Sequence, residues 1–257
     1  MRNSGSPARP NTGSRGFSLI EMLIAVAIVS AVLAVVMRGI MQMQQRSKTE
    51  STKVDVSQQT RDFIDQMMRD IHNVGYPPPH VVTAAVAAGC TLNASISCGV
   101  ISYSSTQIIY EGDLDGSGTV YRVWVQLQAG AGGKCPCILQ RGALRKSDAL
   151  VPGTTPTYFT EVNGVLNSGD GLGGVTYPIS LPGPGSYSSY GTADVFDAWD
   201  VTGGAVVSCP DIGTCSSIHT VQIQVNIAPS YNDPTTKTYQ VYSITSKARM
   251  NNNNTVI

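Results

Sequence analysis

Charge is scarce in this chain. Of 257 residues, only 13% are Asp, Glu, Lys or Arg, and 17 basic residues meet 17 acidic ones. No basic stripe or basic domain stands out, so nucleic acid is not expected as a partner. Histidine is scarcer still. His72, His80 and His219 are each alone, with no Cys, Asp or Glu at metal-ligand spacing around them. His219, at the start of an alternating segment, reads as a satisfied structural residue. No Gly-x-Ser-x-Gly elbow is present. The stretch Gly130-Ala131-Gly132-Gly133-Lys134-Cys135 is not a phosphate loop, because it lacks the first Gly and places Cys135 where Ser or Thr is required. No nucleophile–base pair, metal set or cofactor motif is therefore legible, and the chain does not read as an enzyme.

Cysteine is missing from the first 89 residues. All six lie beyond: Cys90, Cys98, Cys135, Cys137, Cys209 and Cys215. An even number in a domain rich in Gly and Pro suits an oxidising compartment. Six cysteines allow 15 pairings. Cys90 with Cys98 and Cys209 with Cys215 would each close a short loop, and these two are favoured. Cys135 and Cys137 either find separate partners or form a tight ring, which geometry makes unusual. Cys135-Pro136-Cys137 has no second Cys pair or His near enough for a zinc site.

Polar residues are nearly absent from residues 17–37, where only Ser18, Glu21 and Ser30 interrupt the apolar run. At about 1.5 Å of rise per residue the run spans roughly 31 Å as a helix, close to the hydrocarbon thickness of a bilayer. Glu21 is out of place there, because a carboxylate in a membrane helix costs about 2.5–3.5 kcal/mol near the centre and less toward the interface. Residues 1–16 are polar, carry Arg2, Arg9 and Arg15 with no acid, and read as a disordered leader. A secretory signal would place small residues for cleavage after the apolar run; here Gly16 stands before it. Charges flank the span on both sides, with Arg38, Arg46, Lys48 and Lys53 following it, so the positive-inside rule decides little. The cysteines place the C-terminal domain outside the cytoplasm.

The segment Arg15-Gly16-Phe17-Ser18-Leu19-Ile20-Glu21-Met22-Leu23-Ile24-Ala25 resembles the class III (prepilin) signal of type IV pilins and type II secretion pseudopilins. The resemblance covers about a tenth of the chain. It implies that prepilin peptidase cuts between Gly16 and Phe17 and that Phe17 is then N-methylated. It also implies that Glu21, the fifth mature residue, neutralises the N-terminal amine of a neighbouring subunit. A buried carboxylate is tolerable when paired in this way. The competing reading is an ordinary signal anchor in which Glu21 is chance. Pilin helices often carry a Pro or Gly partway along; here Gly39 is the nearest.

Beyond the span the pattern stays helical. Val56, Phe63, Ile64, Met67, Met68, Ile71 and Val74 recur at three- and four-residue steps, one face of an amphipathic helix. Asn73, Gly75 and the prolines from Pro77 end it. Strands are expected at residues 100–103, 107–111, 120–128, 138–141, 157–162, 218–228 and 239–249. Residues 120–128 and 218–228 alternate clearly, and the last two segments read as a closing hairpin. Residues 164–191 are crowded with Gly and Pro and read as long loops, residues 229–237 as a turn, and residues 251–254 as a frayed tail. The expected fold is α+β and pilin-like, a long N-terminal helix on an antiparallel sheet. The domains are a cleaved leader (1–16), a transmembrane or filament-core half-helix (17–40), an amphipathic half-helix (41–75) and an extracytoplasmic β-rich domain (76–257).

Two acidic stretches invite attention. Asp113, Asp115 and Ser117, with Gly118 in sixth place, match the start of a calcium loop, where alternate side chains converge on one cation. The twelfth position is Trp124 rather than a bidentate Glu, and a polar hairpin turn is the competing reading. Asp194, Asp197 and Asp200 would share one face of a short helical turn, a solvated acidic surface. Tyr187, Tyr190, Phe196 and Trp199 read as core and loop packing.

The chain's length, order of elements and final strand are similar to PilW-type minor pilins and to J-type minor pseudopilins. The implied function is a minor-pilin-like structural subunit for initiation or the tip of a type IV pilus. The alternatives are a minor pseudopilin of type II secretion and a pilin-displayed adhesin. The implied partners are prepilin peptidase, other pilins or pseudopilins through the N-terminal helix, and the inner membrane. The implied location is a single pass in that membrane with a periplasmic globular domain, then a filament.

Overall fold

The computed structural model describes residues 18–77, 90–130, 135–167, 192–228 and 241–251. Its first element is α1, Leu19–Asn73. The chain divides into two compact units, residues 1–46 and 47–257. In the first unit α1 is apolar and long enough to cross a membrane, and its large side chains from Leu19 to Met43 lie exposed.

In the second unit α1 has a buried face. Phe63, Ile64, Met67 and Ile71, followed by Val74 just past the helix, are buried in one hydrophobic core, with Val56 and Met68 packed at its margin. These positions are the three- and four-residue stripe of the sequence. Thr60 is also buried and closes its hydroxyl on the Val56 carbonyl at 2.8 Å, as helical threonines do when no other acceptor is near.

The stripe packs on an antiparallel sheet. Among the described residues its strands are β1 (Val100–Ser104), β2 (Gln107–Gly112), β3 (Tyr121–Gln128), β4 (Cys137–Arg145), β5 (Tyr158–Val165), β6 (Phe196–Asp200), β7 (Ala205–Val206), β8 (Ile218–Ile227) and β9 (Tyr242–Arg249). The order is β1-β2-β3-β4-β5-β8-β6-β7, with β9 paired to β8. The sheet curls: Tyr103 on β1 exchanges both backbone hydrogen bonds with Cys209, beyond β7, at 2.9 and 3.0 Å. Single turns of helix, α2 (Lys146–Ala149) and α3 (Ile212–Cys215), follow β4 and precede β8.

Alternation explains the strands. On β3, Val123, Val125 and Leu127 are buried while Arg122, Trp124 and Gln126 are half-buried. On β8, Val221, Ile223, Val225 and Ile227 face the core, and Thr220 to Ile227 pair with Arg249 to Tyr242 of β9. The expected long helix on an antiparallel sheet is the architecture found.

Two expectations are corrected. Asp194, Asp197 and Asp200 do not lie on a helical turn. Residues 196–200 form β6, so Asp197 and Asp200, three apart on a strand, point to opposite faces. Asp200 caps the following turn, accepting from the Thr202 N–H, the Thr202 hydroxyl and the Gly204 N–H at 2.7–2.8 Å. Asp197 accepts from Gln222 Nε2 at 3.3 Å. His219 differs from its expected role too, since neither ring nitrogen has a hydrogen-bond partner among the described residues. The leader, the body of the Gly-rich loops with Tyr187 and Tyr190, His80, Gly132, Lys134, the 229–237 turn and residues 252–254 lie outside the described residues.

Candidate functional site

Gly16 and Phe17 also lie outside the described residues; the helix they precede is described from its first residue. Ser18 opens α1: its carbonyl accepts from the N–H groups of Glu21 (3.0 Å) and Met22 (3.2 Å). Glu21 stands in the first turn, where the unpaired N–H groups favour a carboxylate. Its side chain is exposed, surrounded in sequence by exposed Leu19, Ile20, Met22, Leu23 and Ile24. An acid in such a setting can pair with a cation brought by another molecule when the apolar face is covered. In isolation it has only solvent or lipid headgroups to meet.

The cysteines close three local loops: Cys90 is bonded to Cys98, Cys135 to Cys137 and Cys209 to Cys215. The first is held on the sheet by a charged cluster that sequence reasoning missed. Glu111 is fully buried and accepts from Arg122 Nε (2.9 Å) and Nη2 (2.7 Å), from Lys146 Nζ (2.6 Å) and from the Cys98 N–H (2.9 Å). Lys146, equally buried, also donates to the carbonyls of Cys90 and Ile96 at 2.7 Å. Burial pulls the Lys146 pKa below its ordinary value, and Glu111 opposes that pull. The nearest sequence signal is that Glu111 and Arg122 become direct cross-strand partners once the β2–β3 register is known.

A second cluster ties α1 to the sheet. Asp70 Oδ2 accepts from the Tyr110 hydroxyl at 2.8 Å and from Arg141 Nη2 at 2.9 Å. Burial, with the Asp70 charge added to it, raises the Tyr110 pKa well above its ordinary value. A polar cleft of about 730 Å³ opens beside this cluster, lined among others by Arg69, His72, Asp115 and Tyr121. A third polar anchor is Asn167, fully buried. Its amide donates to the carbonyls of Ala193, Asp194 and Gln224, and its oxygen accepts from the Asn226 N–H at 2.7 Å. None of these clusters pairs a nucleophile with a base.

The loop from Asp113 to Val120 joins β2 to β3. Asp113 Oδ2 accepts from the Gly118 N–H at 2.8 Å, Asp115 Oδ1 from the Ser117 N–H at 3.0 Å, and Ser117 Oγ from the Thr119 N–H at 3.2 Å. Gly116 and Gly118 take φ of +70° and +80°, which other residues adopt only with strain. The Tyr121 hydroxyl lies 3.5 Å from Asp115 Oδ2. Among the described residues no three His, Cys, Asp or Glu side chains converge as a metal site.

Comparison with known proteins adds one finding. A family model described as the prokaryotic N-terminal methylation motif matches residues 11–37. No curated protein and no solved structure matches the chain. The matched residues hold Gly16, Phe17, Glu21 and most of the exposed apolar helix, and together these features indicate membrane anchoring. The motif indicates a prepilin-like protein with a class III signal, of the kind that prepilin peptidase processes.

Proposed function

We propose that this chain is a non-enzymatic, minor-pilin-like structural subunit that takes part in the initiation or tip of a type IV pilus. The observation that carries the reading is a methylation motif at residues 11–37 continuous with a helix whose large apolar side chains are exposed from Leu19 to Met43. Cleavage between Gly16 and Phe17 frees an amine at the head of that helix. Burial of the apolar residues against other pilin helices keeps them out of water once the helix leaves the bilayer, where exposure would cost roughly 25 cal/mol per Å² of apolar surface. Glu21 supplies the counter-charge for a neighbour's amine. The energy for extension comes from elsewhere, since no nucleotide site is legible.

The test is expression of the full chain with prepilin peptidase and the partner pilins. Gly16→Leu is expected to leave the precursor uncut by intact-mass measurement, whereas Glu21→Val is cut normally. Glu21→Val is expected to reduce recovery in sheared filaments about tenfold or more, because stranding one member of a buried ion pair costs ~3–5 kcal/mol. Normal processing of Gly16→Leu removes the prepilin reading. Wild-type recovery of Glu21→Val removes the charge-pairing role alone.

A further inference from the structure

The loop at residues 113–119 holds a feature that a polar turn does not explain. Asp113 is almost fully buried, with 4% of its surface exposed, and only one of its carboxylate oxygens is used. Oδ2 takes the Gly118 N–H across the loop, while Oδ1 is buried without a hydrogen-bond partner. An orphaned carboxylate oxygen away from water costs ~1–3 kcal/mol or more, so a native structure that keeps one has a use for it.

The surrounding bonds suggest the use. Three backbone N–H groups of the loop are each taken by one side-chain oxygen of the same stretch: Gly118 by Asp113 Oδ2, Ser117 by Asp115 Oδ1 and Thr119 by Ser117 Oγ. The loop is thus held curved without consuming Asp113 Oδ1 or the remaining Ser117 lone pair, and the second Asp115 oxygen takes only a long bond, 3.5 Å, from the Tyr121 hydroxyl. All three are hard oxygen ligands, and they come from positions one, three and five of a loop whose sixth residue is the positive-φ Gly118. Two carboxylates balance a doubly charged cation.

We propose that residues 113–119 form a calcium site, with Asp113 Oδ1, Asp115 and Ser117 Oγ as side-chain ligands and main-chain and water oxygens completing the shell. Calcium suits the site better than magnesium, because calcium accepts an irregular set of six to eight oxygens whereas magnesium demands an octahedron. No carboxylate stands at position twelve, where Trp124 belongs to β3, so affinity is in the range of extracellular modules, Kd about 10⁻⁴–10⁻³ M. The ion would brace the end of α1. Next to the loop, the Asp113 N–H donates to the Tyr76 carbonyl at 2.9 Å and the Gly75 N–H to the Glu111 carbonyl at 3.0 Å. The proposal is independent of the filament reading.

The test uses the full chain in detergent micelles, titrated with calcium chloride after chelator treatment. Calcium at about ten times Kd is expected to raise Tm by about 3–6 °C. Terbium is expected to luminesce on excitation of Tyr121, which lies against Asp115. Asp115→Asn and Ser117→Ala, both at exposed positions, are expected to fold and to lose most of the calcium shift. Tyr121→Phe is expected to dim terbium while keeping the shift. No response to 10⁻² M calcium, a magnesium response equal to that of calcium, or a shift that survives Asp115→Asn overturns the site.

Discussion

At the scale of single residues, the molecule depends on a few positions where burial leaves no alternative. Gly112 is one. A Cβ there would meet the Asn73 carbonyl oxygen at 2.6 Å, so the end of α1 can reach β2 only over a bare backbone. Lys146 is another. It is wholly buried and joins Glu111, the Cys90–Cys98 loop and β4 in one set of hydrogen bonds. Lys146→Met should therefore destabilise the fold by about 3–5 kcal/mol in denaturant titration, because Glu111 keeps only Arg122 as a charged partner. Lys146→Met with Glu111→Gln should recover part of that loss, since position 111 no longer holds a buried charge with one of its two cations removed, while Arg122 is only partly buried. Equal losses in the single and double variants would mean that packing, not charge, sets the role of Lys146. Neither residue was legible as a pair. Glu111 and Lys146 are 35 positions apart, and no local period marks them.

Elements were more legible than the contacts between them. α1 could be read from its apolar run and its three- and four-residue stripe, because a helix repeats its environment locally. β3 and β8 could be read because each buries one face. β6 could not: Phe196-Asp197-Ala198-Trp199-Asp200 is short, and its acids fall at helical spacing. Only its register against β8 identifies it as a strand. The α1–sheet tie was hidden for a similar reason, with Asp70 and Arg141 separated by 71 positions. That tie makes the docking of α1 pH-dependent. The buried Tyr110 phenol has a raised folded pKa, so above the ordinary tyrosine value of about 10 the unfolded chain releases a proton that the folded chain keeps. Bound protons in the native state then exceed those in the unfolded state, and stability falls as pH rises past that point. Below it the phenol is protonated in both states and contributes no slope. Tyr110→Phe should lose about 1 kcal/mol at pH 7, the worth of its bond to Asp70, yet lose less than the native chain between pH 10 and 12. The two stability curves should converge. Parallel curves in urea titrations would show that Tyr110 does not stay protonated.

For the whole molecule, the distribution of apolar surface separates two tasks. Large exposed hydrophobics crowd residues 19–43, while in residues 47–257 they are scattered singly, as at Leu92, Phe159 and Val207. Scattered exposure is ordinary for a protein in water, whereas a continuous apolar helix surface requires lipid or another protein. Among the described residues, the hydrophobic core, the three disulfides and the three buried polar clusters lie in residues 47–257. Residues 1–46 carry the methylation motif. The motif was legible because it is contiguous, and its reading does not depend on how the sheet folds. A chain beginning at Ser47 keeps the described core, the three disulfides and the buried polar clusters and lacks the exposed apolar helix. It should be soluble without detergent and show a single cooperative thermal transition. Its Tm should lie within a few degrees of that of the full chain in micelles, since about 1 kcal/mol corresponds to 2–4 °C for a domain of this size. Aggregation of that chain, or a broad non-cooperative transition, would mean that the N-terminal half of α1 also supports the core. The anchor and the domain would then fold as one unit.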